Sequence, residues 1–270
     1  MPVPAEVARI QAYLRENARH NMNPVALPPF SLFFHPNDKL KYFNYAIPDA
    51  DIPPDAPDAA TLGELFARLR EEFRSRGLVA RFEFFEDFAL WLPGALRANG
   101  FIEEDRQWNM LCTPDTFQPM PEVAGLEILA LHPDSPEQDV RDFILIQRQG
   151  FEPDNLELPA EKDILQMRED WKQRGWRAFL GRVNGEAAGA GAFGRPMDGV
   201  TEVAGIATRV PFRRRGIAAR ITWEATRAAF DLGVQTACLT AANQAAGRVY
   251  ERVGFQPFST MLAYIDEETV

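Results

Sequence analysis

Hydrophobic positions along the chain change period several times, and each change predicts an element. Near the start, Val7, Ile10, Leu14 and Ala18 recur at helical spacing. An aromatic, strand-like run leads to a proline-rich stretch, Ile47 to Thr61, and then to a helix in LGELFARLREEFRSRG. Gly77 to Thr113 reads as strand, helix, Gly-Phe and strand. A second proline-rich stretch, Thr113 to Gly125, has the composition of a linker and marks the expected domain boundary. Beyond it come a strand in LEILAL, Leu126 to Leu131, and helices over Glu137 to Gln149 and Pro159 to Gly175. WRAFLGRV, NG and EAAGAGAFG form a hairpin, because Asn184-Gly185 suits the positive φ angles of a type I′ turn. Val200 to Val210 is a strand, and Ile217 to Leu232 a helix stopped by Gly233. Strand VQTACLTA, helix NQAAGRVYERVG and strand STMLAYI complete the pattern.

This order disposes of one motif. Gly189-Ala-Gly191-Ala-Phe-Gly194 matches the dinucleotide fingerprint G-x-G-x-x-G. That fingerprint needs its glycines between a strand and a helix, so that the helix N-terminus holds a pyrophosphate. Here they follow a hairpin turn and precede RPMDG, another turn. The match is accidental, and the small residues imply that a neighbour packs closely over the strand.

Composition narrows the rest. An apolar fraction of 46% supports a sizeable core. No run approaches the ~18 apolar residues of a membrane helix, and Pro93 interrupts one of the longest, Phe88 to Leu96. The N-terminus lacks the basic start and apolar block of a signal peptide, so a cytoplasmic protein is expected. The net charge of −10 argues against a nucleic-acid partner and suits a cationic small molecule. His20, His35 and His132 are scattered, so no metal is expected, and Cys112 and Cys238 make no disulfide framework.

The better anion site lies in ATRVPFRRRGIAARI, where a strand ends near Thr208 and a helix begins near Ile217. Gly216 lets a phosphate approach the backbone, and Ala218 keeps the first helical turn clear. Free N–H groups and the helix dipole favour a diphosphate, to which Arg213, Arg214 and Arg215 add charge. Three adjacent arginines are equally compatible with a solvated loop.

R-x-x-G-x-A between a strand and a helix resembles the acetyl-CoA loop of the GNAT superfamily of N-acetyltransferases. NQAAGRVYERVGF is similar to the superfamily's second motif, with Asn243 opening a helix, Tyr250 inside it and Gly254-Phe255 closing it. The resemblance covers roughly residues 125 to 266. It implies an α/β (α+β) GNAT fold, with a mixed, mostly antiparallel central sheet flanked by helices. It also implies acetyl transfer from acetyl-CoA to a primary amine, expected on a small molecule, by direct attack through a tetrahedral intermediate. Backbone groups of Ile206, Ala207 and Thr208 would then meet the pantetheine arm, and amides of Arg214, Arg215, Gly216, Ile217, Ala218 and Ala219 the diphosphate, with Arg213 at the Gln/Arg position. Asn243 would contact the cofactor, serve as a plain helix cap, or both. Tyr250 would protonate the departing thiolate, or be a core tyrosine. Glu202 would be the base, or an exposed strand residue. Acceptor selection would fall to RQGFEPDNLELPAEKD, with Glu152, Asp154, Glu157 and Glu161, which also reads as a solvated loop. A CoA-binding module without transfer and an acetyltransferase for a protein amine are the alternatives.

Gly77 to Thr113 repeats the layout of Gly233 to Ile265 with a two-residue indel. Ala89 then falls at the Asn243 position, Leu96 at the Tyr250 position, and PPDAPDAAT at the phosphate loop. Residues 1–120 are therefore expected to be a smaller, degenerate GNAT-like domain, and 125–270 the catalytic one.

Overall fold

A computed structural model describes residues 3–151, 155 and 157–267. In chain order the elements are α1 (Ala5–Asn21), β1 (Asn23–Leu27), β2 (Phe30–Phe34), β3 (Asn44–Pro48), α2 (Ala59–Arg74), β4 (Arg81–Phe85), α3 (Leu92–Ala98) and β5 (Phe101–Cys112). They continue as β6 (Leu126–Leu131), α4 (Glu137–Phe151), α5 (Glu161–Arg174), β7 (Arg177–Val183), β8 (Glu186–Phe193) and β9 (Val200–Thr208). The chain closes with α6 (Ile217–Asp231), β10 (Thr236–Ala241), α7 (Gln244–Glu251) and β11 (Gln256–Asp266). The sheet is mixed and mostly antiparallel, as the GNAT fold requires.

The chain divides into two units, Met1–Asn109 with Phe258–Val270, and Met110–Pro257. The division therefore falls after Asn109 and again before Phe258, and residues 113–125 lie in the second unit. In the first unit the strand order is β1-β2-β3-β4-β11-β5, with β3 and β4 parallel. Aromatic rings fill its core. Phe30 meets Phe82 edge-on at 5.1 Å, and Phe101 packs on Phe66 and Phe82 at 5.5 and 5.6 Å. The α1 face buries Val7, Ile10 and Ala18 as the spacing predicts, and also two polar residues, Gln11 and Arg15. Both have hydrogen bonds: Gln11 Oε1 accepts from Phe85 N, and Arg15 donates to the Pro48 carbonyl.

In the second unit the order is β10-β9-β8-β7-β6, with β9 and β10 parallel and the other pairs antiparallel. Alternation along the strands builds two cores. Ala178, Leu180, Ala190 and Ala192 pack with α4 and α5 through Val140, Phe143, Ile164 and Trp171. Phe179, Phe193 and Val203 pack with α6 and α7 through Ile217, Ile221, Ala225 and Tyr250. Asn184 and Gly185 both have positive φ, 51° and 85°, as the type I′ turn demands. The RPMDG turn also forms, with Met197 and Val200 exchanging backbone hydrogen bonds.

The false fingerprint is strand β8, and its glycines have a steric cause. A Cβ at Gly189 would lie 2.8 Å from Ile221 Cδ1 and 2.9 Å from Ile217 Cγ2. At Gly191 it would lie 2.4 Å from Ile206 Cδ1 and 2.8 Å from Ile221 Cγ2. The expected close neighbour is thus α6.

The stretch read as a linker is a packed strap. Phe117 stacks on Trp223 at 5.5 Å and meets Phe230 edge-on at 5.3 Å. Gln118 N donates to the Val253 carbonyl, and Trp223 Nε1 donates to the Gln118 carbonyl. A Cβ at Gly254 would lie 2.1 Å from the Thr116 carbonyl oxygen, so glycine is what lets the strap cross there.

Overpacking a filled interface costs roughly 1–3 kcal/mol. Gly191→Val should therefore lower the melting temperature by several degrees. Gly63→Ala, in α2 with nothing within 4 Å of the added carbon, should raise it slightly. Thermal melts followed by circular dichroism check both, and an unchanged Gly191→Val melt would contradict the close packing of α6.

Candidate active site

Strand β9 has different partners along its two edges. On the β8 edge, Ala190 and Ala192 pair with Ala207 and Ala204, so two steps of β8 oppose three of β9. This is a β-bulge, and Gly205 takes the left-handed conformation within it, at φ +64°. Gln147 of α4 donates from Nε2 to the Gly205 carbonyl at 2.5 Å, pinning the bulge. The extra residue resets the alternation. Ile206 turns toward Gly191 and α6, and Ala207 toward Gly150 of α4.

On the other edge, parallel pairing joins Val200–Glu202 to Thr236–Cys238 and then stops. Both strands run on, β9 to Thr208 and β10 to Ala241. The two strands therefore part beyond Glu202. Ile206, Ala207 and Thr208 all lie in this unpaired stretch. The Thr208 carbonyl accepts from Arg213 Nε at 3.1 Å, so the sequence misses one prior engagement. The Thr208 Oγ1 is buried without a hydrogen-bond partner among the described residues.

The strand leads through a short 3-10 turn, Val210–Phe212, to α6. Arg214 and Gly216 are both left-handed, at φ 62° and 81°. Gly216 is the N-cap of α6, and no side chain caps this end. Arg220 N donates to the Gly216 carbonyl at 3.0 Å, the first turn of the helical ladder. The amides of Ile217, Ala218 and Ala219 precede that ladder and have no acceptor within the helix. A Cβ at Gly216 would meet nothing nearer than Val123 at 3.5 Å, so the backbone is open to approach. Arg213, Arg214 and Arg215 are exposed around it.

Asn243 caps α7, its Oδ1 accepting from Ala246 N at 3.0 Å. Tyr250 is 9% exposed and meets Phe255 at 6.3 Å. Its hydroxyl has no hydrogen-bond partner among the described residues, and burial pushes its pKa up to about 12. Glu202 is half-buried, in register with Cys238 across the parallel pair. Val203 faces the α6 core that holds Tyr250, so adjacent Glu202 points to the opposite face of the sheet. Glu202 and Tyr250 thus lie on opposite faces of the sheet.

Burial pushes the Cys238 thiol well up, and the Glu202 carboxylate adds to the effect. Cys112 is pushed up to about 11 by burial. Both thiols stay protonated at neutral pH, which suits core residues rather than nucleophiles. Of the expected acceptor residues, Glu157 and Glu161 are exposed, while Glu152 and Asp154 lie outside the described residues. Among the described residues no three His, Cys, Asp or Glu side chains gather as a metal site. None of their helices is long and apolar enough to cross a membrane.

Gln147 and Gly205 escaped the sequence reading. The signal for the second was present, because an isolated glycine inside a strand pattern marks a bulge. Gln147 sits on a different element, and no local pattern connects it to Gly205.

Residues 143–255 match the family model of the Acetyltransferase (GNAT) family. No curated protein matches the chain in sequence. The fold is similar to that of a GCN5-related N-acetyltransferase from Kribbella flavida, with TM-score 0.77 and 23% identity over 96% of this chain and 95% of that one. A GCN5-related N-acetyltransferase from Sphaerobacter thermophilus gives TM-score 0.66 and 16% identity over 88% and 76% of the two chains. A tandem GNAT protein from the clavulanic acid biosynthesis pathway gives 0.61 and 14% over 98% and 89%. With an unpaired strand edge leading into an open helix N-terminus inside the matched segment, residues 143–255 are an acetyltransferase domain of the GNAT family, an acyltransferase.

Proposed function

We propose that the chain moves an acetyl group from acetyl-CoA to a primary amine of a small molecule by direct attack. The carrying observation is the parting of β9 from β10 beyond Glu202 and Cys238, on the strand that ends at the uncapped N-terminus of α6. An extended amide chain ending in a diphosphate suits both parts. Backbone groups of Ile206 to Thr208 would bond the pantetheine arm, and the buried Thr208 Oγ1 offers a hydroxyl still without a partner among the described residues. The amides of Arg214 to Ala219 would take the diphosphate.

When bound, acetyl-CoA supplies an activated thioester. The protein's part is proton handling and charge stabilisation. An alkyl amine is mostly protonated at neutral pH, so Glu202 would take its proton and free the nitrogen lone pair. A backbone N–H of β9 would stabilise the thioester oxygen as it gains charge. As the carbon–sulfur bond breaks, the Tyr250 hydroxyl would donate its proton to the thiolate. The raised Tyr250 pKa keeps that proton in place across the working range. Acid and base on opposite faces of the sheet suit a thioester lying in the gap, with amine and thiol on opposite sides.

The first unit is proposed as a degenerate, non-catalytic GNAT-like half. Its α2 stands where α6 would stand in the repeat, yet its N-terminus is already filled. The Asp58 carboxylate accepts from Ala60 N and Thr61 N at 3.0 Å each. An anion there would meet a carboxylate in place of open amides. At the Asn243 and Tyr250 positions stand Ala89 and Leu96, both buried.

An amine panel that follows thiol release from acetyl-CoA should find at least one small-amine acceptor. Micromolar CoA binding with no turnover across the panel would favour a binding module instead. Tyr250→Phe should lower kcat by about 10²-fold with CoA affinity nearly unchanged. Because the hydroxyl stays protonated until about pH 12, the variant and wild-type pH profiles should keep the same shape up to about pH 10. An undiminished kcat when chemistry is rate-limiting would remove the acid role. Gly216→Val, which places a branched side chain over the open amides, should raise KM for acetyl-CoA at least tenfold; an unchanged KM would contradict the diphosphate placement.

A further inference from the structure

A polar side chain stands on the apolar stripe of α4. Val140, Phe143 and Ile144 pack into the core against the sheet, and Gln147 follows them at helical spacing, half-buried. A polar group in such a place needs a partner, and Gln147 finds one in a strand backbone. Its Nε2 donates to the Gly205 carbonyl at 2.5 Å. Gly205 is fitted to this contact: at its φ of +64°, a Cβ would lie 2.5 Å from Gln147 Oε1.

We infer that Gln147 is a positioning residue for acetyl transfer: by holding the Gly205 carbonyl, it aims the Ile206 N–H as the donor that meets the thioester oxygen. The inference rests on the proposed reaction. It adds what that proposal leaves open, namely which amide of β9 serves and what orients it.

Pairing and peptide geometry select the amide. Strand β8 pairs with Ala204 and next with Ala207, and pairing with β10 ends at Glu202, so Gly205 and Ile206 have no register partner on either neighbour. The peptide joining them is trans, and its N–H therefore points opposite to its carbonyl. The carbonyl is directed to α4. The Ile206 N–H is thus directed away from α4, to the face of the sheet where α6 and Tyr250 lie. Glu202 stands on the α4 face, so its carboxylate is not placed to capture the same N–H.

An anchor is needed because glycine backbone is permissive. Released from Gln147, this peptide would be free to turn over and present a carbonyl oxygen where a donor is required. A donor fixed in advance costs no reorganisation as charge develops. The helix also secures the next residue. A Cβ at Gly150 would lie 2.9 Å from Ala207 Cβ, so α4 is seated against β9 on both sides of Ile206.

The test is isotope-edited infrared spectroscopy of acetyl-CoA, labelled with carbon-13 at the acetyl carbonyl and bound to the full chain without an acceptor. A hydrogen bond to the thioester oxygen lowers its stretching frequency. The band should shift down on binding wild type. The shift should fall by at least half in Gln147→Met, which keeps the side-chain length and removes the donor. Gln147→Glu, of the same shape but without a donor when ionised, should lose the shift equally. With an acceptor found by the amine panel, both variants should lose about tenfold in kcat, less than the ~10²–10³ for deleting a donor outright. KM for acetyl-CoA should stay within about twofold of wild type. Binding to wild type without a shift, a full shift in both variants, or a raised KM with kcat unchanged would overturn the positioning role while leaving acetyl transfer intact. Failure of wild type to bind acetyl-CoA would overturn the proposed function itself.

Discussion

The second unit is organised around one side chain. Ile221 of α6 sits against three glycines of the sheet, with added Cβ atoms at Gly181, Gly189 and Gly191 falling 3.0, 2.8 and 2.8 Å from it. Cores are packed too tightly to absorb three methyl groups in one place. Side chains there would lift α6 from β7 and β8 and carry its N-terminus away from the end of β9. The proposed anion site consists of that N-terminus and that strand end, so its geometry depends on the glycine-lined seat. The stretch that imitates a nucleotide fingerprint thus acts by steric absence.

The second constraint is the bulge in β9. A regular strand paired along both edges would have no backbone to offer. The bulge at Gly205, held by Gln147, resets the strand against β8 while β10 departs on the other side. That departure leaves the β10 edge of β9 unpaired beyond Glu202. The proposed division of labour follows from strand alternation, with Glu202 on the α4 side and Tyr250 in the core on the α6 side.

Much of this was legible in the sequence because its signals are local. Asn184-Gly185 announces a turn through residues that tolerate positive φ, and RPMDG announces another; the structure turns at both, with Asn184 and Gly185 at positive φ. The period of Ile217, Ile221, Ala225, Ala228 and Leu232 announces one face of α6; the first three are buried, Ala228 is half-buried, and Leu232, at the C-cap, is exposed. Asn243 as an N-cap was likewise readable. What escaped was non-local. Gln147 and Gly205 are far apart in sequence, and the reason for Gly254 is the backbone of Thr116. The proline-rich composition of residues 113–125 is shared by flexible linkers and by straps that cross helices, and only tertiary contacts such as the ring of Phe117 on Trp223 distinguish them.

The two helix ends that the proposed repeat aligns differ in what meets their first amides. At α2 the Asp58 carboxylate occupies the first amides, whereas at α6 a glycine leaves them open. The whole cofactor is accordingly proposed to bind the second unit. Stoichiometry tests this most directly: calorimetric titration of the full chain with acetyl-CoA should saturate at one molecule per chain. Saturation at two, or no saturable binding, would contradict it.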